Sequence, residues 1–196
     1  MRRALLPSLL LLAACPRPTP YPTVPADAAA VSSPAWRTLT ASHRVRVRVV
    51  HDGRSDERTL RGAVAIERPA RLRLRALGPA GLTLFDLVVR DGRATVVAAL
   101  RGADAGPLHD VALSLAADLA CAYALAPSPP DRGIRTEGDA VVVEEPGRRV
   151  RLSRFAGSPA VWRRAEIASG NYTVEVDVDS VEVDPALDPA LFADEP

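Results

Sequence analysis

The sequence predicts a mainly β fold with an α insert: a curved antiparallel half-barrel sheet of about ten strands wrapped around one or two helices. Three observations predict it. From Ser42 to Leu100 apolar and polar residues alternate in short runs separated by turn dipeptides, as in antiparallel strands with one wet face. Between Pro107 and Ala126 the period switches once, to that of an apolar helix. From Gly133 the strand pattern returns and runs to Val183.

The chain opens with Met1-Arg2-Arg3, an apolar run from Ala4 to Leu12 broken by Pro7 and Ser8, and small residues before a cysteine. That order reads as a secretory signal segment, residues 1–14. Leu11-Leu12-Ala13-Ala14-Cys15 also resembles the bacterial lipobox, which implies lipid, acyl chains such as palmitate, on Cys15 as the first mature residue. One acyl chain anchors marginally, at roughly 0.8 kcal/mol per buried CH₂, whereas several hold firmly. Two plainer readings stand beside this one: an ordinary cleaved signal with an accidental cysteine, and an uncleaved membrane helix. The apolar run falls short of the ~20 residues that a span needs. By resemblance to lipoprotein sorting, Pro16 in place of Asp after the cysteine favours the outer membrane of a Gram-negative envelope, facing the periplasm.

Residues 15–33 then read as the lipidated cysteine and a Pro-rich linker, semi-extended at ~3 Å per residue, and residues 34–196 as the β domain. A short helix is expected over Pro34–Ala41, capped by Ser33, with Trp36 and Leu39 turned inward. Arg44-Val45-Arg46-Val47-Arg48-Val49 alternates strictly, Asp52-Gly53 turns it, and Arg58–Glu67 returns with Leu60, Val64 and Ile66 on one face. Arg71-Leu72-Arg73-Leu74-Arg75 follows Pro69, and Gly78-Pro79-Ala80-Gly81 connects it to Leu82–Arg90. That strand is apolar on both faces except at Thr83 and Asp86, which predicts a central, covered position. After Asp91-Gly92, Arg93–Leu100 places Ala94, Val96, Ala98 and Leu100 on one face.

In the helix, Asp110, Ser114 and Asp118 recur at spacing four on one thin polar stripe; nearly everything else is Leu, Val, Ala, Cys or Tyr. So apolar a helix must be buried on most of its circumference, and the concave face of the sheet is the place for it. Strands then resume at Gly133–Glu137, Ala140–Glu145, Arg148–Phe155, Ala160–Ala168 and Tyr172–Val183. In the last, the alternation slips by one residue at Ser180, which predicts a bulge. Its acidic face, Glu175, Asp177 and Asp179, stands ready to answer arginines elsewhere in the sheet.

The chain has 25 basic residues, all arginine, 24 acidic ones and 3 histidines. Loss of Arg2 and Arg3 with the signal leaves a formal charge near minus one, which provides no footprint for nucleic acid. With Cys15 lipidated, Cys121 has no intramolecular partner and reads as a small buried hydrophobe. His43, His51 and His109 are not spaced as metal ligands, and no nucleophile elbow, phosphate loop or dinucleotide fingerprint occurs. Asp177 and Asp179 share a face as a solvated pair would, and Asn171-Tyr172-Thr173 reads as a turn. A non-enzyme without cofactor or metal, monomeric, is expected.

Leu72-Arg73-Leu74, then Gly78-Pro79-Ala80-Gly81, then Thr83-Leu84-Phe85-Asp86-Leu87, and the tail Val183-Asp184-Pro185-Ala186-Leu187-Asp188-Pro189-Ala190-Leu191-Phe192, resemble the LolA/LolB lipoprotein carrier and receptor superfamily. The resemblance implies an incomplete β-barrel closed by helices over an apolar cavity that receives acyl chains. It implies a membrane-contact loop at Pro79, Ala80, Gly81 and Leu82, in which Ala80 matches the bulky apolar position and Leu82 is the nearest substitute. The apolar cavity is then expected along Leu72, Leu74, Leu84, Val96, Leu115, Leu119 and Trp162, with an acyl chain or a lipoprotein as ligand. The alternative is a structural or assembly lipoprotein with a filled core and a protein partner.

Overall fold

The computed structural model describes residues 22–51, 54–78, 81–91, 93–99, 105–125, 133–170 and 172–193. The signal segment, Cys15 and the first part of the expected linker lie outside them. Ten strands form one sheet: β1 (Thr38–His51), β2 (Arg54–Glu67), β3 (Arg71–Leu77), β4 (Thr83–Arg90), β5 (Arg93–Ala99), β6 (Gly133–Glu137), β7 (Ala140–Glu145), β8 (Arg148–Ser153), β9 (Arg164–Ser169) and β10 (Tyr172–Val183). Their order is β5-β4-β3-β2-β1-β10-β9-β8-β7-β6, antiparallel at every pair. Two meanders, β1–β5 and β6–β10, are thus joined along β1 and β10. Helix α2 (Ala105–Ala122) connects β5 to β6, the two outer edges of the sheet, and therefore bridges its open side.

The local chemistry explains most boundaries. The β6–β7 and β7–β8 hairpins turn on Gly138 (φ +61°) and Gly147 (φ +75°), a conformation that a Cβ disfavours. The slip at Ser180 is a bulge: Ser42 faces Ser180 but His43 faces Val178, which leaves Asp179 extra. From Arg54 to Leu60 β2 runs beyond β3, whose pairing begins at Arg61 opposite Leu77; the bare edge carries Arg54, Asp56, Glu57 and Arg58, charges that discourage strand addition. On the convex face the arginines of β1 meet acids of β10 and β2: Arg44–Asp179 at 3.5 Å, Arg46–Glu175 at 3.6 Å and Arg48–Glu57 at 2.8 Å. Pairs this exposed contribute little to stability.

Five expectations are corrected. The short helix is not Pro34–Ala41 but α1 (Ala28–Ser32), capped by Asp27, whose Oδ1 accepts the Ala29 N–H at 2.9 Å. Trp36 and Leu39 are buried as expected, but Leu39 lies in β1, between Ile66 and Val183. Part of the expected linker packs: Thr23 pairs with Ala156, the Val24 N–H donates to Phe155 O at 2.8 Å, and Val31 is buried with α1 against β6 and β7. Val24, Ala26, Ala28 and Val31 supply an apolar face that the proline count hides.

Strand β4 is covered on both faces yet stands second from an edge. Its outer face is roofed by the C-terminal 3₁₀ turn Pro189–Phe192, where Arg73 Nη1 donates to Leu191 O at 2.9 Å and Arg90 Nη2 to Phe192 O. Asp86 and Val88 both lie buried there. In β5 the expected face breaks, because Asp86 pairs with Ala98 and Leu87 with Val96; Val97 is extra, and Ala98 turns to the outer side. Strand β9 is shorter than Ala160–Ala168, since Ala156 and Val161 bridge in a tight turn ahead of it.

Candidate functional site

The trough of the sheet is built from alternate positions of each strand and closed by α2. Ala112, Leu115, Ala116, Leu119 and Ala120 are buried, and the helix packs against β4 and β5. Alanines at spacing four bring the backbone close while Leu115 and Leu119 fill the space between. Of the expected cavity residues, Leu72, Leu74, Leu115, Leu119 and Trp162 join one continuous buried cluster, and Leu84 packs against it half-buried. Val96, on the edge strand, is half-buried and outside that cluster. The void lined by Trp36, Tyr123 and Trp162 measures about 10 Å³, room for no more than about one water.

Polar links hold the helix at its C-terminal end. Asp118, on the expected polar stripe, is fully buried: it accepts from Tyr172 Oη at 2.6 Å and meets Arg148 Nε at 2.8 Å, an ion-pair approach whose N–H is not aligned as a hydrogen bond. Burial holds the Asp118 carboxyl above the usual carboxylate range despite both partners. Arg148 is a quarter exposed; its burial is the largest single influence and works to lower its pKa, but the neighbouring Asp118, Cys121 and Glu145 together outweigh it and hold the guanidinium above its usual range. Cys121 is buried and not disulfide-bonded, with Sγ 3.4 Å from Glu145 Oε1.

One turn further on, Tyr123 packs tilted at 4.7 Å against Trp162, meets Trp36 edge-on at 6.3 Å and shares a 2.8 Å hydrogen bond with His43 Nε2. His43 takes an inward position of β1, 1% exposed, and its Nδ1 has no hydrogen-bond partner among the described residues. Burial pushes its pKa down to about 4 and pushes the Tyr123 hydroxyl up. Trp162 Nε1–H donates to Ala122 O at 3.2 Å; Arg68, 5.4 Å from the Trp36 ring, donates to Tyr123 O at 3.3 Å and Ala124 O at 3.4 Å. This aromatic and basic cluster escaped the sequence reading. The signal was a histidine in the apolar phase of Leu39, Ala41, Val45 and Val47.

Outside the sheet, Asp86 collects four guanidinium hydrogen bonds, two from Arg73 and two from Arg75, at 2.8–3.0 Å. Burial works to raise its pKa, but these bonds outweigh it and hold the carboxyl below its usual range. Of the expected membrane-contact loop, Pro79 and Ala80 lie outside the described residues. Gly81 (φ +76°) begins the return, and Leu82 is 60% exposed. Gly78 lies against Leu84, where a Cβ would come within 2.9 Å of Cδ2, and its N–H donates to Leu82 O at 2.8 Å, so the loop is pinched at its base. Leu82 and Val50 are the large apolar side chains exposed among the described residues, on hairpins that point the same way. No metal-ligating cluster occurs among the described residues, and no helix there is long and apolar enough to cross a membrane.

Compared with protein-family models and with curated protein sequences, the chain matches none. Its fold is similar to that of solved LolA-like structures. A LolA superfamily protein from Nitrosomonas europaea matches at 9% identity and TM-score 0.47, over 85% of this chain and 94% of that one. A domain named for outer membrane lipoprotein sorting, from Vibrio parahaemolyticus, matches at 6% identity and TM-score 0.42, over 81% and 90%. A DUF1329 family protein from Desulfovibrio piger matches at 8% identity and TM-score 0.45, over 82% and 91%.

Proposed function

We propose that this protein is a monomeric, non-catalytic lipoprotein of the Gram-negative outer membrane, tethered through lipid on Cys15 and facing the periplasm. Its half-barrel receives an acyl chain, or the acyl chains of a lipoprotein, when α2 lifts from the trough. The observation that carries this reading is that α2, which connects the two edge strands in sequence, packs over β4 and β5 through an aliphatic interface. Separation of the two surfaces bares Leu72, Leu74, Leu115 and Leu119, and an alkyl chain re-covers them at roughly 25 cal/mol per Å².

The full chain carrying Cys15→Ser, purified without detergent, is expected to retain acyl ligand by native mass spectrometry and lipid extraction. Repeatedly empty spectra, together with failure to take up a fluorescent fatty acid, would reject the carrier reading. The second reading then stands, an assembly lipoprotein with a protein partner, which the close burial of Leu72, Leu74, Leu115 and Leu119 in one cluster favours. Leu82→Asp is expected to weaken association of the same chain with phosphatidylglycerol vesicles at least about tenfold, since burial of one leucine is worth roughly 1.5–3 kcal/mol. Unchanged co-sedimentation would remove the loop from membrane contact.

A further inference from the structure

The convex face changes character part-way along β1 and β2. Toward their shared turn it carries Arg44, Arg46, Arg48 and Arg61, but beyond these the outward positions are Ser42 and Thr40 on β1 and Ala63 and Ala65 on β2. Ser180 continues the row of short side chains on β10. Where longer groups would cover the sheet, these leave a hollow of about 500 Å³, walled by Arg73, Arg75 and Leu191 on one side and Glu182 on the other. That volume falls within the range of small-molecule sites, roughly 300–1,000 Å³.

The floor selects the kind of group that can lie on it. Thr40 and Ser42 are paired on both sides, to β10 and to β2, and Ala63 and Ala65 to β1 and β3. The hydroxyls of Ser42 and Ser180 bond each other at 2.7 Å. A peptide laid there would meet no open backbone partner, whereas an alkyl chain has no donor or acceptor to satisfy. The two ends differ in charge. Arg75 uses Nε and Nη2 on Asp86, which it shares with Arg73, so the three groups together keep one positive charge. Arg61, exposed beside them, has no ion-pair partner among the described residues, and the carboxylate of the opposite wall, Glu182, faces Thr40 at the far end.

We infer that this hollow is a second, exterior site for a free long-chain carboxylate. Its alkyl chain lies over Ala63 and Ala65 toward Leu191, and its carboxylate meets Arg61 and Arg75. The site is on the opposite face of the sheet from the trough and goes beyond the function proposed above.

A dodecanoate probe bearing a terminal diazirine, photolysed on the full chain carrying Cys15→Ser and mapped by peptide mass spectrometry, is expected to label β1, β2 and the Leu191 segment. By calorimetry, dodecanoate is expected to bind at least about tenfold more weakly to Ala63→Trp, which fills the hollow from an exposed position, and to Arg61→Gln, which removes only the charge. Dodecanol binding should follow Ala63→Trp but not Arg61→Gln. Labels confined to α2 and the inner face of β3–β4, or unchanged affinity in Ala63→Trp with native circular dichroism, would overturn the exterior site and leave the trough reading in place. Absence of all labelling also overturns it, while the trough is decided separately by co-purified lipid.

Discussion

Trp162→Ala is expected to lower unfolding stability by about 3–5 kcal/mol, a large share of the roughly 5–15 kcal/mol typical of a domain. Trp162 is 3% exposed and sits where the turn before β9 meets the end of α2. Its ring packs tilted at 4.7 Å against Tyr123 and stacks at 6.2 Å on His43, and its N–H caps the Ala122 carbonyl at 3.2 Å. Truncation leaves a cavity and an unmet carbonyl at the same place. Trp162→Phe keeps an aromatic ring and loses the N–H, so a smaller loss, about 1–2 kcal/mol, is expected. Urea unfolding followed by circular dichroism measures both. A loss below about 1 kcal/mol for the alanine variant would mean that the aromatic cluster does not fasten the helix.

Acidification is expected to destabilise the protein between about pH 6.5 and pH 4, through His43. In the folded chain burial pushes its pKa down to about 4, against an ordinary value of 6.5, so the imidazole stays neutral while that of the unfolded chain takes up a proton. The unfolded state therefore binds more protons in this window, and stability falls as pH falls. The contribution is intact above about pH 7 and lost by about pH 4, a change on the order of 3 kcal/mol. The groups facing His43 are the Tyr123 hydroxyl and the Trp162 ring, and Arg163 acts on Tyr123 nearby. Asp118, raised by burial above the ordinary 3.8, works in the opposite direction from that value upward, within the same window. Subtraction of the pH profile of His43→Gln isolates the histidine. Parallel profiles for the two proteins between pH 7.5 and pH 4.5 would refute the assignment.

The strands were legible because period-two alternation and turn dipeptides are local signals and both meanders are built from neighbours in sequence, whereas the β1–β10 pairing that joins them is long-range and was not. The bulge at β10 could be read because one apolar phase gave way to the other at Ser180. The slip in β5 could not, because Val96 and Val97 are both apolar and leave no change of phase. Helix α1 has five residues, too few for a period, and its burial depends on β6 and β7 from far along the chain. Asp118 misled for the same reason. Its spacing from Asp110 and Ser114 marks a polar stripe, but the partners that bury it, Arg148 and Tyr172, come from strands after the helix. Leu72 and Leu74 were found by their strand face, and Leu115 and Leu119 by the apolar period of the helix. The exterior hollow was not legible, because Thr40, Ser42, Ala63, Ala65 and Ser180 are brought side by side only by the register.

The packing of Thr23 to Ser33 onto the domain shortens the leash. With lipid on Cys15, residues 15–21 are all that remain between the bilayer and the body, and seven residues reach at most about 25 Å. On the function proposed above, a body so closely moored would not cross the periplasm to fetch a hydrophobic cargo, and an acyl chain for its trough would have to be handed over by something that diffuses or come from the membrane itself.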